Sequence, residues 1–111
     1  MNKAVEIQWN LTPFRSDEFC ELWAPYAELA INYGASGYLM IRQADDQLIV
    51  KQYAMFDNKA DWDAYWNSEA LQEGRAKVTG MYTVPIVYVW EEVVTEGYVN
   101  TPEPAAAQTE A

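Results

Sequence analysis

A chain of 111 residues with 50% hydrophobic content is long enough for one domain, and 17 acidic against 7 basic side chains give it a formal net charge of −10. This charge repels phosphate backbones and anionic lipid, and no apolar run approaches the roughly 20 residues that a membrane helix needs. We therefore expect no nucleic-acid partner and no membrane partner. The start of the chain lacks the pattern of a signal peptide, which favours a cytoplasmic location.

The cysteine and histidine counts narrow the chemistry further. Cys20 is the single cysteine and the chain has no histidine. One thiol forms neither an internal disulfide nor a zinc cluster, which fits a reducing compartment, and a cysteine nucleophile would need a nearby base. The usual histidine ligands of zinc, copper, non-haem iron and haem are missing. We predict no metal site and no cofactor.

The first half of the chain predicts a strand, a helix and a hairpin. Residues 3–9 alternate between apolar and polar side chains, as in a half-buried strand. Ser16 is the expected N-cap of the following helix, and Pro25 inside that helical pattern predicts a kink or a break. Residues 38–43 and 47–56 then read as two strands joined by a tight turn.

An aromatic stripe marks the second helical region. Asp57 or Asn58 can cap a helix that begins where the third strand ends. Trp62, Tyr65 and Trp66 follow at positions i, i+3 and i+4, which places three rings on one face. The stripe is either core packing or a wall for a flat ligand, and the sequence leaves both readings open.

The last third of the chain predicts a possible helix break, a strand and a tail. Residues 67–69 either kink the aromatic helix or cap a second segment that runs to about residue 78. Residues 84–94 read as the final strand. We assign residues 1–96 to one domain and expect the Pro/Ala-rich residues 97–111 to be disordered.

The order β-α-β-β-α-β predicts an α+β, ferredoxin-like fold, with a four-stranded antiparallel sheet and both helical regions on one of its faces. The other face is then open, and our register places on it Gln8, Tyr38, Met40, Arg42, Lys51, Tyr53, Met55, Tyr88 and Trp90. Such a mixture is typical of an interface, so we expect a homodimer through the open sheet face. The register of the last strand stays open, because residues 87–90 are apolar on both sides.

Phe56, Trp62, Tyr65, Trp66 and Ser68 form the motif F-x5-W-x2-Y-W-x-S after the third strand. In a chain with this order of elements, the motif resembles the dimeric α+β barrel superfamily and, within it, the antibiotic-biosynthesis monooxygenase-like family. The resemblance covers about residues 3 to 95. It implies the ferredoxin-like fold and a dimeric α+β barrel. Because proteins of this fold catalyse several different reactions, the resemblance does not select one of them.

The resemblance also suggests functional residues. Haem-degrading members carry a haem-ligating histidine ten residues after the position of Tyr65, and here that position is Arg75, which cannot donate a lone pair to iron. Cofactor-free members oxidise anthrones and quinol precursors with Asn, Trp, Tyr or Arg side chains, in a pocket between the helices and the sheet. The matching catalytic candidates here are Tyr65 as a proton relay, with Asn10 or Arg75 stabilising a substrate anion. The candidates for binding the substrate are Trp62, Trp66, Trp9, Trp23 and Tyr26.

Two functions follow from these observations. The first is a cofactor-independent monooxygenase acting on a small aromatic or polyketide-like compound. The second is a non-catalytic dimeric ligand-binding or interaction module of the same fold, in which the rings are core or ligand wall. A structure can distinguish them: the enzyme calls for a cavity into which Tyr65 and Asn10 point, and the module for a packed interface between helices and sheet.

Overall fold

A computed structural model describes residues 2–99, so most of the predicted tail at 97–111 lies outside the described residues. The elements in chain order are β1 (Lys3–Asn10), α1 (Ser16–Glu28), a 3-10 helix (Leu29–Tyr33), β2 (Gly37–Arg42), β3 (Ile49–Met55), α2 (Lys59–Trp66), α3 (Glu69–Lys77) and β4 (Val87–Glu92). The strands form a four-stranded sheet in the order β2-β3-β1-β4, and every neighbouring pair is antiparallel. The predicted ferredoxin-like α+β fold is therefore confirmed.

Local capping divides the second helical region as its sequence suggests. The Asn58 side chain accepts a hydrogen bond from the backbone N–H of Asp61 at 2.9 Å and caps α2. After α2 ends, the Ser68 hydroxyl accepts from the backbone N–H of Leu71 at 3.2 Å and caps α3. Each cap satisfies an N–H that has no partner within its own helix. The predicted second segment is therefore a separate helix.

The start of α1 differs from the sequence prediction, and the break that was one of the two predicted effects of Pro25 is absent. Arg15 occupies the N-cap position without a side-chain cap, and Ser16 is already helical. The Ser16 hydroxyl instead donates to the backbone oxygen of Gln47, a tertiary contact that no local pattern reveals. The helix continues through Pro25 and changes to 3-10 geometry only at Leu29.

The core lies between the helices and one face of the sheet. On the two central strands, the side chains that face the helices are almost completely buried; they are Val5, Ile7, Trp9, Val50, Gln52 and Ala54. The helical side chains packed against them are equally buried and include Phe19, Trp23, Trp62, Tyr65 and Leu71. Burial of this much aromatic and aliphatic surface is the main stabilising contribution to such a fold.

The predicted face of β2 is wrong, and for β4, whose register the sequence left open, the structure has the reverse of the placement given above. Tyr38, Met40 and Arg42 of β2 lie opposite inward-facing residues of β3, so they are on the helix side of the sheet. Tyr88 and Trp90 of β4 lie opposite inward-facing residues of β1, on the same side. Both strands have apolar side chains on both faces, so the alternation of residue types does not fix their orientation. The open face carries Gln8, Lys51, Tyr53 and Met55 as predicted, together with Leu39, Ile41, Val87 and Val89.

Candidate functional site

A buried polar network lies at the centre of the helix–sheet interface. The Gln52 side-chain oxygen accepts hydrogen bonds from the indole N–H groups of Trp9, at 3.0 Å, and Trp23, at 2.8 Å. The Gln52 amide nitrogen lies 3.3 Å from the Tyr65 hydroxyl, which in turn donates to the backbone oxygen of Tyr26 at 2.7 Å. The network therefore joins four of the predicted site residues through one amide.

Sequence reasoning did not identify Gln52 as a functional or structural centre. The sequence feature that could have pointed to Gln52 is its position in β3, between the inward-facing Val50 and Ala54. A glutamine that is 1% exposed in such a position must find hydrogen-bond partners inside the protein. Its actual partners come from a different strand and two different helices, which the pattern of one strand does not reveal.

The environment of Tyr65 favours its protonated form. The side chain is fully buried, and burial raises the pKa of the phenol far above its usual range, although the hydrogen bond from Gln52 and the charge of Arg75 act in the opposite direction. A phenol with a raised pKa is a poorer general base at neutral pH than an ordinary tyrosine. Its hydroxyl is also engaged as a donor and as an acceptor, so the geometry is that of a positioning group.

The aromatic stripe of α2 packs against the edge strand β4. The rings of Trp62 and Trp66 are stacked, with centroids 5.3 Å apart and an angle of 17° between their planes. The Tyr88 ring lies edge-on to Trp62 at 5.1 Å and tilted toward Trp66 at 5.9 Å. Among the described residues, the Trp62 Nε1 is a buried side-chain nitrogen with no hydrogen-bond partner. The stripe is thus core at Trp62 and partly exposed at Trp66.

Arg75 places a positive charge at the exposed edge of this aromatic cluster. Its guanidinium carbon lies 4.4 Å from the centre of the Trp66 ring, and its Nη1 donates to the Trp66 backbone oxygen at 2.9 Å. Partial burial lowers the pKa of Arg75, while nearby Tyr82 and Tyr65 raise it. An arginine so placed keeps its charge at neutral pH. The site therefore combines a cation with flat apolar walls.

Asn10 is the predicted site residue that the structure separates from the others. It lies at the end of β1 opposite Ile49, with its side chain exposed on the open face. Its Oδ1 accepts a hydrogen bond from the Gln8 side chain at 3.0 Å. Tyr65, Arg75, Trp62, Trp66, Trp9, Trp23 and Tyr26 all lie on the helix side of the sheet. Asn10 and Tyr65 consequently do not point into a common cavity.

The space between helices and sheet is filled by side chains rather than open. Trp9, Trp23, Trp62 and Tyr65 are each at most 1% exposed. A surface groove of about 650 Å³ lies elsewhere, between α1 and β2, and is lined by Glu21, Ala24, Pro25, Glu28, Tyr38, Leu39 and Met40. In residues 2–99, no three His, Cys, Asp or Glu side chains lie close enough together to hold a metal ion. The same residues contain no helix with the length and hydrophobicity that a bilayer crossing requires.

No protein-family model and no curated protein sequence matches this chain. Several solved structures match its fold. A proposed antibiotic biosynthesis monooxygenase from Nitrosomonas europaea superimposes with a TM-score of 0.76 at 16% identity, over 84% of this chain and 99% of the other. SnoaB, a cofactor-independent oxygenase from Streptomyces nogalater, gives a TM-score of 0.72 at 9% identity, over 86% and 95% of the two chains. A proposed antibiotic biosynthesis monooxygenase from Bordetella bronchiseptica gives 0.73 at 17% identity, over 86% and 100%. These similarities show that the chain has the fold of the antibiotic biosynthesis monooxygenase structures.

Proposed function

We propose that this protein is a cytoplasmic, cofactor-independent monooxygenase that acts on a small aromatic or polyketide-like compound. The observation that carries the proposal is the Arg75 guanidinium over the ring of Trp66, at the edge of an aromatic cluster. The fold is shared with SnoaB, a cofactor-independent oxygenase, which supports the same assignment by analogy.

Arg75 and the neighbouring rings suit an electron-rich aromatic anion. A hydroxyanthrone that loses a proton becomes an anion able to react with oxygen, and a fixed cation in a partly dry site stabilises that anion. The partly exposed rings of Trp66 and Tyr88 offer aromatic contacts to fused rings, and each such contact adds about 0.5–1.5 kcal/mol beyond buried area. An aromatic surface and a positive charge, the two requirements of such a substrate, lie side by side at Trp66.

The overall reaction balances without a cofactor. A ring CH2 group and O2 give a ring C=O group and H2O, so that one oxygen atom enters the product and the other leaves as water. Because burial holds Tyr65 in its protonated form, we assign it to positioning through Gln52 and Tyr26. The substrate proton then passes to solvent at the partly exposed edge near Arg75. We assign Asn10 no part in this site, since it lies on the other face of the sheet.

Oxygen uptake with 1,8-dihydroxyanthrone tests the proposal. Arg75→Met keeps much of the apolar stem but removes the charge, and we expect kcat/KM to fall by about 100-fold, the lower range for loss of one anion-stabilising donor. The matched control is Arg15→Met, because Arg15 is exposed and its only ion pair within residues 2–99 is with Glu18 at 3.4 Å. Arg75→Lys should recover part of the loss. Absence of uptake by the wild type, or equal rates for the two Met variants, would contradict the assignment.

We further propose that the protein works as a homodimer through its open sheet face. Four apolar side chains on that face are between 42% and 58% exposed: Leu39, Ile41, Val87 and Val89. So much exposed apolar surface is unusual for a sheet face that contacts only solvent. Ile41→Lys should give monomers in sedimentation velocity at micromolar concentration. Ile31→Lys is the control, because Ile31 is similarly exposed, at 45% against 42%, but lies in the 3-10 helix. A monomeric wild type would refute this part of the proposal.

The closed packing around Gln52 favours a second function, because a packed interface between helices and sheet, without a cavity shared by Tyr65 and Asn10, is the arrangement expected of the module. Four hydrogen bonds join the polar groups of that network, and the rings around it leave a filled interface. This arrangement suits a non-catalytic dimeric ligand-binding or interaction module, in which Trp66 and Arg75 form only a surface site. Saturable binding of an aromatic anion without any oxygen uptake would favour the module over the enzyme.

A further inference from the structure

Strand β2 is an unprotected edge of the sheet. It stands at one end of the sheet order, and within residues 2–99 no strand pairs with its outer side. Its sequence, GYLMIR, contains no proline and no lysine, and its charged residue, Arg42, stands at the end of the strand. Proline and charge along an edge strand are among the means by which proteins keep other chains from pairing with it. The middle of β2 is therefore open to pairing with another chain.

The register shows which backbone groups of β2 face outward. Just beyond β2, the backbone N–H of Gln43 donates to the backbone oxygen of Ile49 at 3.0 Å, in the same register as the rest of the β2–β3 pair. Alternate residues of an antiparallel pair direct their N–H and C=O groups at the partner strand. Because Gln43 faces β3, Tyr38 and Met40 direct these groups away from it. They lie at the free edge, beside the groove that the same two residues line.

The groove between α1 and β2 runs along this edge. Its volume is about 650 Å³, and two of its lining residues, Ala24 and Met40, also line a second depression of about 280 Å³ that extends to Arg42. Together the two follow β2 from Tyr38 to Arg42, which is roughly 14 Å at about 3.4 Å per residue. This elongated shape suits an extended peptide better than a compact molecule.

The charge of the groove favours a cationic segment. Glu21 and Glu28 lie on its α1 side, and both are exposed. Neither belongs to an ion pair within residues 2–99. The positive charge at the far end is already engaged, because Arg42 is bound to Asp17 at 2.7 Å. Lysine or arginine side chains of a bound segment would therefore find two acidic partners there.

Two other occupants lack complementary charge. A second copy of this chain carries the same net charge of −10, which opposes its approach to an acidic groove, and the proposed homodimer forms through the open sheet face rather than this edge. Residues 100–111 of this chain contain two glutamates and no lysine or arginine. They also contain two prolines, which have no N–H to donate to an edge strand. A separate partner with positive charge is the occupant that the groove favours.

We propose that the groove between α1 and β2 binds an extended segment of a partner protein, with lysine or arginine at alternate positions, which adds to the sheet beside β2. Backbone hydrogen bonds to Tyr38 and Met40 supply affinity, and the contacts of the cationic side chains with Glu21 and Glu28 supply specificity. This edge is opposite to β4, against which Trp66 packs, so the binding is independent of the proposed reaction.

A capped peptide of alternating lysine and valine tests the proposal, with a peptide of alternating glutamate and valine as its counterpart. Titration calorimetry should show the lysine peptide binding at least about tenfold more tightly. Glu21→Gln combined with Glu28→Gln should weaken that binding about fivefold. Glu69→Gln combined with Glu73→Gln is the matched control, because it changes the net charge equally on α3, and its effect should be less than about twofold. Equal losses in the two double variants would contradict the site.

Hydrogen exchange on the wild type detects the added strand without any variant. At saturation with the lysine peptide, the amides of Tyr38 and Met40 should exchange at least about tenfold more slowly, while those of Leu39 and Ile41, which already face β3, should change little. Methylation of the backbone nitrogens of alternate peptide residues should abolish binding for one alternate set and spare the other. Unchanged exchange at Tyr38 and Met40, or equal effects of the two methylated sets, would overturn the proposal.

The same amides distinguish the other occupants. Slow exchange of Tyr38 and Met40 in the protein alone, becoming faster on dilution, would assign the edge to a second copy and refute the proposal. Slow exchange in the protein alone that is lost when residues 100–111 are deleted would assign the edge to the chain's own end, and would refute it equally.

Discussion

Replacement of Gln52 by Met tests how much the buried network stabilises the fold. Methionine has a similar length and volume, so the change removes the amide while leaving little cavity. The indole N–H groups of Trp9 and Trp23, bonded at 3.0 and 2.8 Å, then lose their acceptor. Each unpaired buried donor costs about 1–3 kcal/mol, so the two together cost about 2–6 kcal/mol. Domains of this size have a total stability of about 5–15 kcal/mol, so the loss is large.

Urea unfolding followed by tryptophan fluorescence measures the effect. We expect the free energy of unfolding of Gln52→Met to fall by the amount above, with an unchanged dependence on denaturant concentration. Gln47→Met is the control, because Gln47 is exposed, and its change should be within about 0.5 kcal/mol. A loss below about 1 kcal/mol for Gln52→Met would show that the two indoles find other partners, and the network would then not organise the site.

Two further predictions concern packing and pH. Gly74→Ala should lower the free energy of unfolding by about 1–3 kcal/mol in spite of the better helix propensity of alanine, because the added Cβ would lie 2.7 Å from the ring of Tyr26. Gly97→Ala is the control, because a Cβ added at Gly97 would have no atom within 4 Å, and its free energy of unfolding should hardly change. Thermal melts of the two variants and the wild type measure both effects. For Tyr65, burial raises the folded-state pKa above the unfolded value of about 10. The phenol therefore adds stability below about pH 10 that is lost as the pH rises through the folded pKa, and the stability difference between wild type and Tyr65→Phe should narrow above about pH 10 in chemical unfolding. A constant difference would contradict the burial argument.

The order of elements was predictable because it depends on local signals. Strand alternation in residues 3–9 and the caps at Asn58 and Ser68 each involve neighbours within a few positions of the chain. The register of β2 and β4 was not predictable, because edge strands are only partly covered and tolerate apolar side chains on both faces. Local patterns thus determine elements more reliably than they determine which face an edge strand presents.

The candidate site was predictable in its residue types and not in its contacts. The stripe of Trp62, Tyr65 and Trp66 is visible in the sequence, and the structure places it on the helix side of the sheet as expected. The partners of Gln52 lie up to 43 positions away in the chain. Among residues 2–99, the lack of a partner for the buried Trp62 N–H is likewise a matter of tertiary packing. Whether the aromatic stripe is core packing or a wall for a ligand depends on which side chains pair with one another. Helical periodicity does not predict such pairing.

Oxygen-isotope labelling tests the central claim most directly. Wild-type protein, dialysed against chelator to remove metal ions and checked by its absorption spectrum for flavin and haem, is incubated with 1,8-dihydroxyanthrone under ¹⁸O2, and the product is examined by mass spectrometry. A cofactor-independent monooxygenase predicts a product that carries one ¹⁸O atom in the new carbonyl group, formed well above the rate of the protein-free control, with the rate reduced in Arg75→Met. A rate equal to that control, or a carbonyl oxygen derived from water during formation, would contradict the account.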